Sequence, residues 1–271
     1  MSLSRQVLTR IRRGLHAALA DLPTTPNDVQ PAPSKPASNE VIQTSGAKHL
    51  WTDGLHDEIA FWDKWFRTRG DAWPEDYLSR LDPNLPLADS VVQHLPRGAS
   101  DVPLEILDVG AGPLTILGKQ VPGRTIRITP VDPLADVYRR IMDKHGVTPP
   151  VATSWCHGEL LTERFRPNTF DLVWAQNSLD HSYDPLRIIE QALTVTRPGC
   201  RVVLTHIRNE ALNENYQGLH QWNFDGEGSD FVIWNPRTRV NVTKQLGHLA
   251  EIRTQLSPAS VVVSLLKTTE S

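Results

Sequence analysis

The segment Leu104-Glu-Ile-Leu-Asp-Val-Gly-Ala-Gly-Pro113 sets a short apolar run containing Asp108 directly before two glycines spaced by one residue. Such a run reads as a buried strand, and Gly110 and Gly112 supply a tight turn whose bare backbone lets a ligand come close. Pro113 suits the first position of a helix, where its missing N–H would lack a partner anyway. A helix over 114–120, a turn at Pro122-Gly123 and a second strand over 125–131 follow, ending at Asp132. A carboxylate about 20 positions after the glycines can accept both hydroxyl protons of a ribose. The pattern predicts a nucleotide-type cofactor but departs from the dinucleotide form. It is Asp-x-Gly-x-Gly, no third glycine faces a pyrophosphate, and Leu114 and Thr115 continue the turn.

Strand and helix signals then alternate through 101–206, the pattern of a doubly wound parallel sheet with right-handed crossovers. A helix over 133–144 closes at Gly146, and another runs from Pro185 to about Val195 before Pro198-Gly199. Segments 251–256 and 261–267 flank Ser257-Pro-Ala-Ser260 and predict a C-terminal antiparallel hairpin. An insertion at about 208–249 is rich in aromatic and amide residues, including Trp222, Phe224 and Trp234, and reads as a cap over an acceptor. The chain before the sheet divides in two. Residues 1–46 hold an Arg-rich amphipathic helix candidate and a tether with five prolines over 23–36, and residues 47–100 form a Trp-rich helical extension. Ile59, Trp62 and Phe66 recur there at helical spacing, which predicts packing onto the sheet, with Trp or Glu side chains of this region as a second use, roofing the cofactor.

Four ordered motifs resemble class I S-adenosylmethionine-dependent methyltransferases. Ile106-Leu-Asp-Val-Gly-Ala-Gly112 with Val131-Asp-Pro133 is similar to the first two motifs. Cys156-His-Gly-Glu-Leu160, after a strand over 151–156, resembles the element that reads the adenine edge, with Glu159 in place of the commoner Asp. Phe170-Asp-Leu-Val-Trp-Ala175 and Asn177-Ser-Leu-Asp-His181 resemble the fourth strand and the segment passing methyl group and acceptor, and Arg197-Pro-Gly-Cys200 the turn into strand five. The resemblance implies a Rossmann-like seven-stranded sheet and S-adenosyl-L-methionine as cofactor. It implies contacts from Asp108, Gly110, Gly112, Asp132, Pro133, Glu159, Leu160, Gln176 and Asn177.

A net charge of −3 over 271 residues gives no electrostatic footprint for a polyanion, so no nucleic-acid partner is expected. Segment Ala175-Gln-Asn-Ser178 also lacks the Asn-Pro-Pro-Tyr of enzymes that methylate base amino groups. Cys156 and Cys200 lie outside any metal-type spacing and read as unpaired thiols of a reducing, cytoplasmic compartment. No apolar run of the N-terminal region is long enough to span a membrane.

Methyl transfer to a hydroxyl needs alignment and removal of one proton. His181, a few residues beyond strand four, is the first candidate base, with Asp180 orienting it; His206 at the end of strand five is the second and His220 the third. Asp180, His181, His206 and Asp225 could converge on a divalent ion, but nothing in their spacing requires one, and no metal is expected. The reading is an O-methyltransferase for a small polar acceptor, a sugar or glycoside favoured, with His220, Trp222 and Asn223 as acceptor contacts and a homodimer as one assembly. That preference has a second, less specific support: Glu58 to Trp65 together with His220 to Phe224 resembles methyltransferases of cell-envelope polysaccharide and sugar biosynthesis. Its alternatives are a natural-product or quinone hydroxyl as acceptor, or a non-catalytic cofactor-binding scaffold.

Overall fold

The computed structural model describes residues 44–97 and 102–269. The Arg-rich helix and proline-rich tether expected within 1–43 lie outside the described residues. Two helices come first, α1 (Thr44–Arg67) and α2 (Pro74–Leu81). The second starts with proline at its first position, carries Glu75 and Asp76 in the first turn and Arg80 in the last, the charge order that complements a helix dipole. Trp65 and Phe66 of α1 pack with Trp73, Tyr77 and Leu114 and with Tyr138, Ile141 and Met142 of α3 (Ala135–Lys144). The aromatic helix is therefore core, as its spacing predicts.

Seven strands form the main sheet: β1 (Leu104–Val109), β2 (Ile126–Asp132), β3 (Ser154–Trp155), β4 (Phe170–Gln176), β5 (Thr196–Ile207), β9 (Ala250–Leu256) and β10 (Ser260–Lys267). Their order is β3-β2-β1-β4-β5-β10-β9, with β10 antiparallel to both neighbours and the remaining pairs parallel. The expected doubly wound sheet and C-terminal hairpin are both present. Because side chains alternate across a strand, Leu107 and Val109 of β1 join one core, with helix α4 (Pro185–Val195), while Leu104 and Ile106 join the other, under the short helix Asp89–Val92. The chain order reverses between β1 and β4, so a crevice opens beyond the carboxyl ends of those two strands.

Two expectations are overturned here. The helix predicted over 114–120 does not form. The Thr115 hydroxyl donates to Asp108 Oδ2 at 2.6 Å and accepts from Leu117 N–H, and such side-chain bonds compete with a helical ladder. The segment instead runs alongside Leu85–Leu87, with Lys119 and Gln120 N–H donating to Leu85 O and Leu87 N–H to Gln120 O. Gly118 permits this approach, since a Cβ there would stand 2.1 Å from Pro86 O. The insertion is not a cap along its whole length either. Its strands β6 (Asn223–Glu227), β7 (Asp230–Trp234) and β8 (Arg239–Asn241) make a three-stranded sheet. Trp222, Phe224, Phe231 and Ile233 from it are buried in the same core as α4.

Candidate active site

The crevice beyond β1 and β4 is a cavity of about 700 Å³. Its floor is the glycine turn after β1. Gly110 and Gly112 both have positive φ, and a Cβ on Gly110 would meet Ser178 Cβ at 2.4 Å, so this turn needs glycine for conformation and for room. Above it lies α1, with Glu58, Phe61 and Trp62 lining the cavity and the Trp62 ring 3.2 Å from where a Gly112 Cβ would be. A second wall is the segment Glu214–His220, held against α1 where Gly54 approaches Gly218 so closely that a Cβ would stand 2.6 Å from its carbonyl carbon. Part of the insertion thus does face the cavity, through the loop ahead of β6 and not through the sheet.

Three buried carboxylates border this space: Asp108, Asp132 and Glu159. Asp132 Oδ2 accepts from Gly112 N–H at 3.0 Å and Oδ1 from Leu134 N–H at 2.8 Å, so strand β2 and the glycine turn fix its rotamer. Glu159 Oε1 accepts from the N–H groups of Tyr183 and Asp184. Burial pushes Asp108 up to about 6 and Asp132 and Glu159 up to about 7, against the lowering pull of these hydrogen bonds. Carboxylates so placed fit a ligand that brings positive charge and hydroxyl donors. Pro133, Gln176 and Asn177 line the same cavity. Leu160 does not: its N–H, expected to read an adenine edge, donates to His157 O within a 3₁₀ turn.

Just beyond β4 Asp180, His181 and His220 converge. Asp180 Oδ2 lies 2.7 Å from His220 Nδ1 and 3.4 Å from His181 Nε2, and the two ring nitrogens are 3.1 Å apart. Burial alone would raise Asp180; the imidazoles of His181 and His220 overcome it and hold the carboxyl well below the usual range. Glu58, which accepts from Trp62 Nε1 at 2.7 Å, places Oε2 3.9 Å from His181 Nδ1. Glu58 was legible as a side chain roofing the cofactor and not as a neighbour of His181; its spacing of four from Trp62 is the local signal for the hydrogen bond between them.

Four residues singled out in the sequence stand elsewhere. His206 is buried, lies flat on Phe224 with ring centroids 4.3 Å apart, and has no hydrogen-bond partner on either nitrogen. Alternation along β5 puts it on the core face with Val202 and Leu204, and burial drives it down to about 4. Trp222 is buried with its indole N–H on Ser182 O, and Asn223, fully buried, accepts from Leu212 N–H and donates to the Tyr216 hydroxyl. Neither side chain offers a face to the cavity, because the small sheet turns them into the protein. Asp225, once weighed as a ligand, is tied to Arg208 and Asn209.

Doubly wound sheet, glycine turn and acidic strand ends together define a class I cofactor-binding domain. Residues 107–204 match the methyltransferase domain family. The chain carries a class I S-adenosylmethionine-dependent methyltransferase domain, and S-adenosylmethionine is the cofactor of that domain. Among curated proteins, the 27-O-demethylrifamycin SV methyltransferase of Amycolatopsis mediterranei (strain S699) is 27% identical over 179 residues, which cover 63% of this chain. The match covers 59% of that relative, so the chain spans less than two thirds of its length. Among solved structures, the citrinin polyketide synthase CMeT domain aligns with a TM-score of 0.47 at 16% identity, over 66% of this chain and 50% of that one. Phosphoethanolamine N-methyltransferase 2 of Haemonchus contortus, in complex with S-adenosyl-L-methionine, gives 0.43 at 12% identity, over 66% and 52%. Among the described residues no helix is long and apolar enough to cross a membrane.

The raised carboxylates set a pH dependence. A cationic, hydroxyl-donating cofactor favours their ionised forms, so binding below pH 7 must first expel protons. Affinity is expected to rise roughly tenfold from pH 6 to pH 8 for each group near 7 that ionises on binding. Calorimetry in buffers of different ionisation enthalpy measures both the affinity and the protons released. Equal affinity at the two pH values, with no proton release, would sink the assignment of Asp132 and Glu159 to the cofactor.

Proposed function

We propose that this chain transfers a methyl group from S-adenosylmethionine to a hydroxyl oxygen of a small polar acceptor, with a sugar or glycoside favoured. The observation that carries the reading is the convergence on buried Asp180 of His181 and His220, both on the wall of the same cavity as the three carboxylates. The cofactor supplies a methyl group already activated by its sulfonium, so the chain's task is to align an oxygen and remove its proton. Asp180 Oδ2 can accept from both inner ring N–H groups, a tautomer choice that leaves His181 Nδ1 and His220 Nε2 as lone-pair bases. His181 takes the acceptor proton on Nδ1; Asp180 stabilises the resulting imidazolium, and the Glu58 carboxylate, 3.9 Å from Nδ1, adds a second negative charge that favours it. Trp51, Phe61 and Trp62 supply apolar faces and Glu214 and Gln217 polar contacts, the mixture a carbohydrate ring meets in binding sites. This takes the place of the aromatic faces first assigned to the small sheet.

A natural-product hydroxyl is the second reading, favoured by the relative whose name places its methyl on an oxygen of a rifamycin. A panel of sugars, glycosides, phenols and polyketide alcohols, scored by release of S-adenosylhomocysteine and by mass of the product, separates the two. Turnover with a glycoside supports the first. Turnover confined to polyketide alcohols moves the acceptor class to the second, and cofactor binding without turnover on any hydroxyl would leave a scaffold.

A further inference from the structure

We propose that Asp180 Oδ2, His181 Nε2 and His220 Nδ1 form a binding site for a divalent first-row cation of the zinc or cobalt kind, on the acceptor side of the cavity. The three atoms make a triangle with edges of 2.7, 3.1 and 3.4 Å. A cation with bonds of about 2.1 Å to nitrogen and oxygen holds neighbouring ligands roughly 3.0 Å apart in an octahedron and roughly 3.4 Å apart in a tetrahedron. The observed edges scatter around the octahedral value, and the Asp180–His220 contact needs to open by only a few tenths of an ångström; a tetrahedral face would need it to open by about 0.7 Å.

Proton counting points the same way. If both inner ring nitrogens carry hydrogen, as the base reading requires, Asp180 Oδ2 accepts from both but the two N–H groups crowd each other at 3.1 Å. If only one does, the bare nitrogen of one ring is left without the Asp180 bond or the carboxylate meets a lone pair. No arrangement of protons on two neutral imidazoles satisfies all three edges, whereas a dication accepts all three lone pairs at once. Asp180 supplies a separate observation: it is 1% exposed and its second oxygen, Oδ1, has no hydrogen-bond partner. A buried carboxylate with one oxygen unpaired and the other against two imidazoles is a place where positive charge is missing. Glu58 Oε2, 3.9 Å from His181 Nδ1, stands on the side from which a carboxylate orients a metal-bound imidazole, and would close by about 1 Å to hydrogen-bond it.

Two imidazoles and one carboxylate select zinc, cobalt or nickel over magnesium or calcium, which favour oxygen ligands. His181 and His220 both line the cavity, so the cation borders it and keeps coordination room for one oxygen. That oxygen is the acceptor's hydroxyl, and this last assignment alone rests on the methyl-transfer reading. Cation and histidine base are alternatives at one locus, because the bound cation uses His181 Nε2 and His220 Nδ1 and fixes the tautomers of both rings.

The test uses the untagged full chain, stripped with a chelator, dialysed and titrated with cobalt(II) chloride. The expected result is one cobalt per chain with ligand-field bands in the visible, displaced by zinc. His220→Ala and His181→Ala should each weaken binding by about 100-fold or more, beyond the 10- to 100-fold loss of outer-shell changes, with circular dichroism confirming their fold. His248→Ala, an exposed histidine outside the cavity, keeps full binding. No cobalt bound by the wild-type chain, or binding that both variants retain, overturns the site. Methylation that persists in chelated protein unable to bind cobalt overturns the site and leaves the methyl-transfer reading intact. Stoichiometric cobalt lost in His220→Ala, with no hydroxyl methylated by the wild type, upholds the site and overturns that reading.

Discussion

His181→Ala is expected to lower kcat by roughly 10²–10⁴ while changing the dissociation constant of S-adenosylmethionine by no more than about twofold. The reason is a division of roles: His181 belongs with Asp180 and His220, while Asp132 and Glu159 are held by backbone N–H groups of Gly112, Leu134, Tyr183 and Asp184. His220→Ala should lose rate on a similar scale. Because the three side chains share hydrogen bonds, the double variant should be little worse than the more damaged single one. Stopped assays on wild type and variants, with calorimetry for the cofactor, measure both quantities. His206→Ala behaves differently: it removes a ring stacked on Phe224 inside the core, so it lowers the melting temperature and spares most of kcat. Should His206→Ala abolish turnover in a folded protein while His181→Ala keeps it, the base is on β5 and His181 has been given the wrong role.

Asp132→Ala is expected to weaken S-adenosylmethionine by about 1.5–3 kcal/mol, the range of a hydrogen bond to a charged group. That is roughly a 10- to 150-fold rise in dissociation constant. Both Asp132 oxygens already accept a backbone N–H, from Gly112 and Leu134, and each keeps a lone pair for a ribose hydroxyl. Removing the side chain therefore loosens the glycine turn as well as the ligand. Asp132→Asn keeps one acceptor oxygen and should fall between wild type and alanine. Glu159→Ala should show a smaller loss. Unchanged affinity in a folded Asp132→Ala protein would mean that the cofactor does not sit on β2.

The sheet was legible because its evidence is local. Apolar runs of β1 and β4, glycines where the chain must turn, Pro185 opening α4 and the Ser257–Ser260 turn each carry their signal within a few residues. The carboxylates at the strand ends were legible for the same reason, since alternation and strand length place Asp108 and Asp132 without reference to the rest of the chain. The missing helix after Pro113 was not legible. It was displaced by pairing with Leu85–Leu87, some 30 residues earlier, and by the bond of Thr115 to Asp108, which only the assembled chain brings into range.

The proposed acceptor end divides along the same line. That a histidine and an aspartate stand just beyond β4 is written at Asp180-His181. That His220 completes the group depends on the loop ahead of β6 folding back against Gly54 of α1, a contact between residues 164 positions apart. That Trp222 and Phe224 face the core while His220 faces the cavity depends on which side of the small sheet packs on α4. Aromatic composition could not tell a cap from a core, because burial is a property of what lies opposite and not of the residue itself. The sequence by itself determined the cofactor-binding half, through strand ends and glycines. Tertiary structure alone decided the acceptor half, because its groups come from α1, the segment after β4 and the insertion, and meet only when those three elements pack.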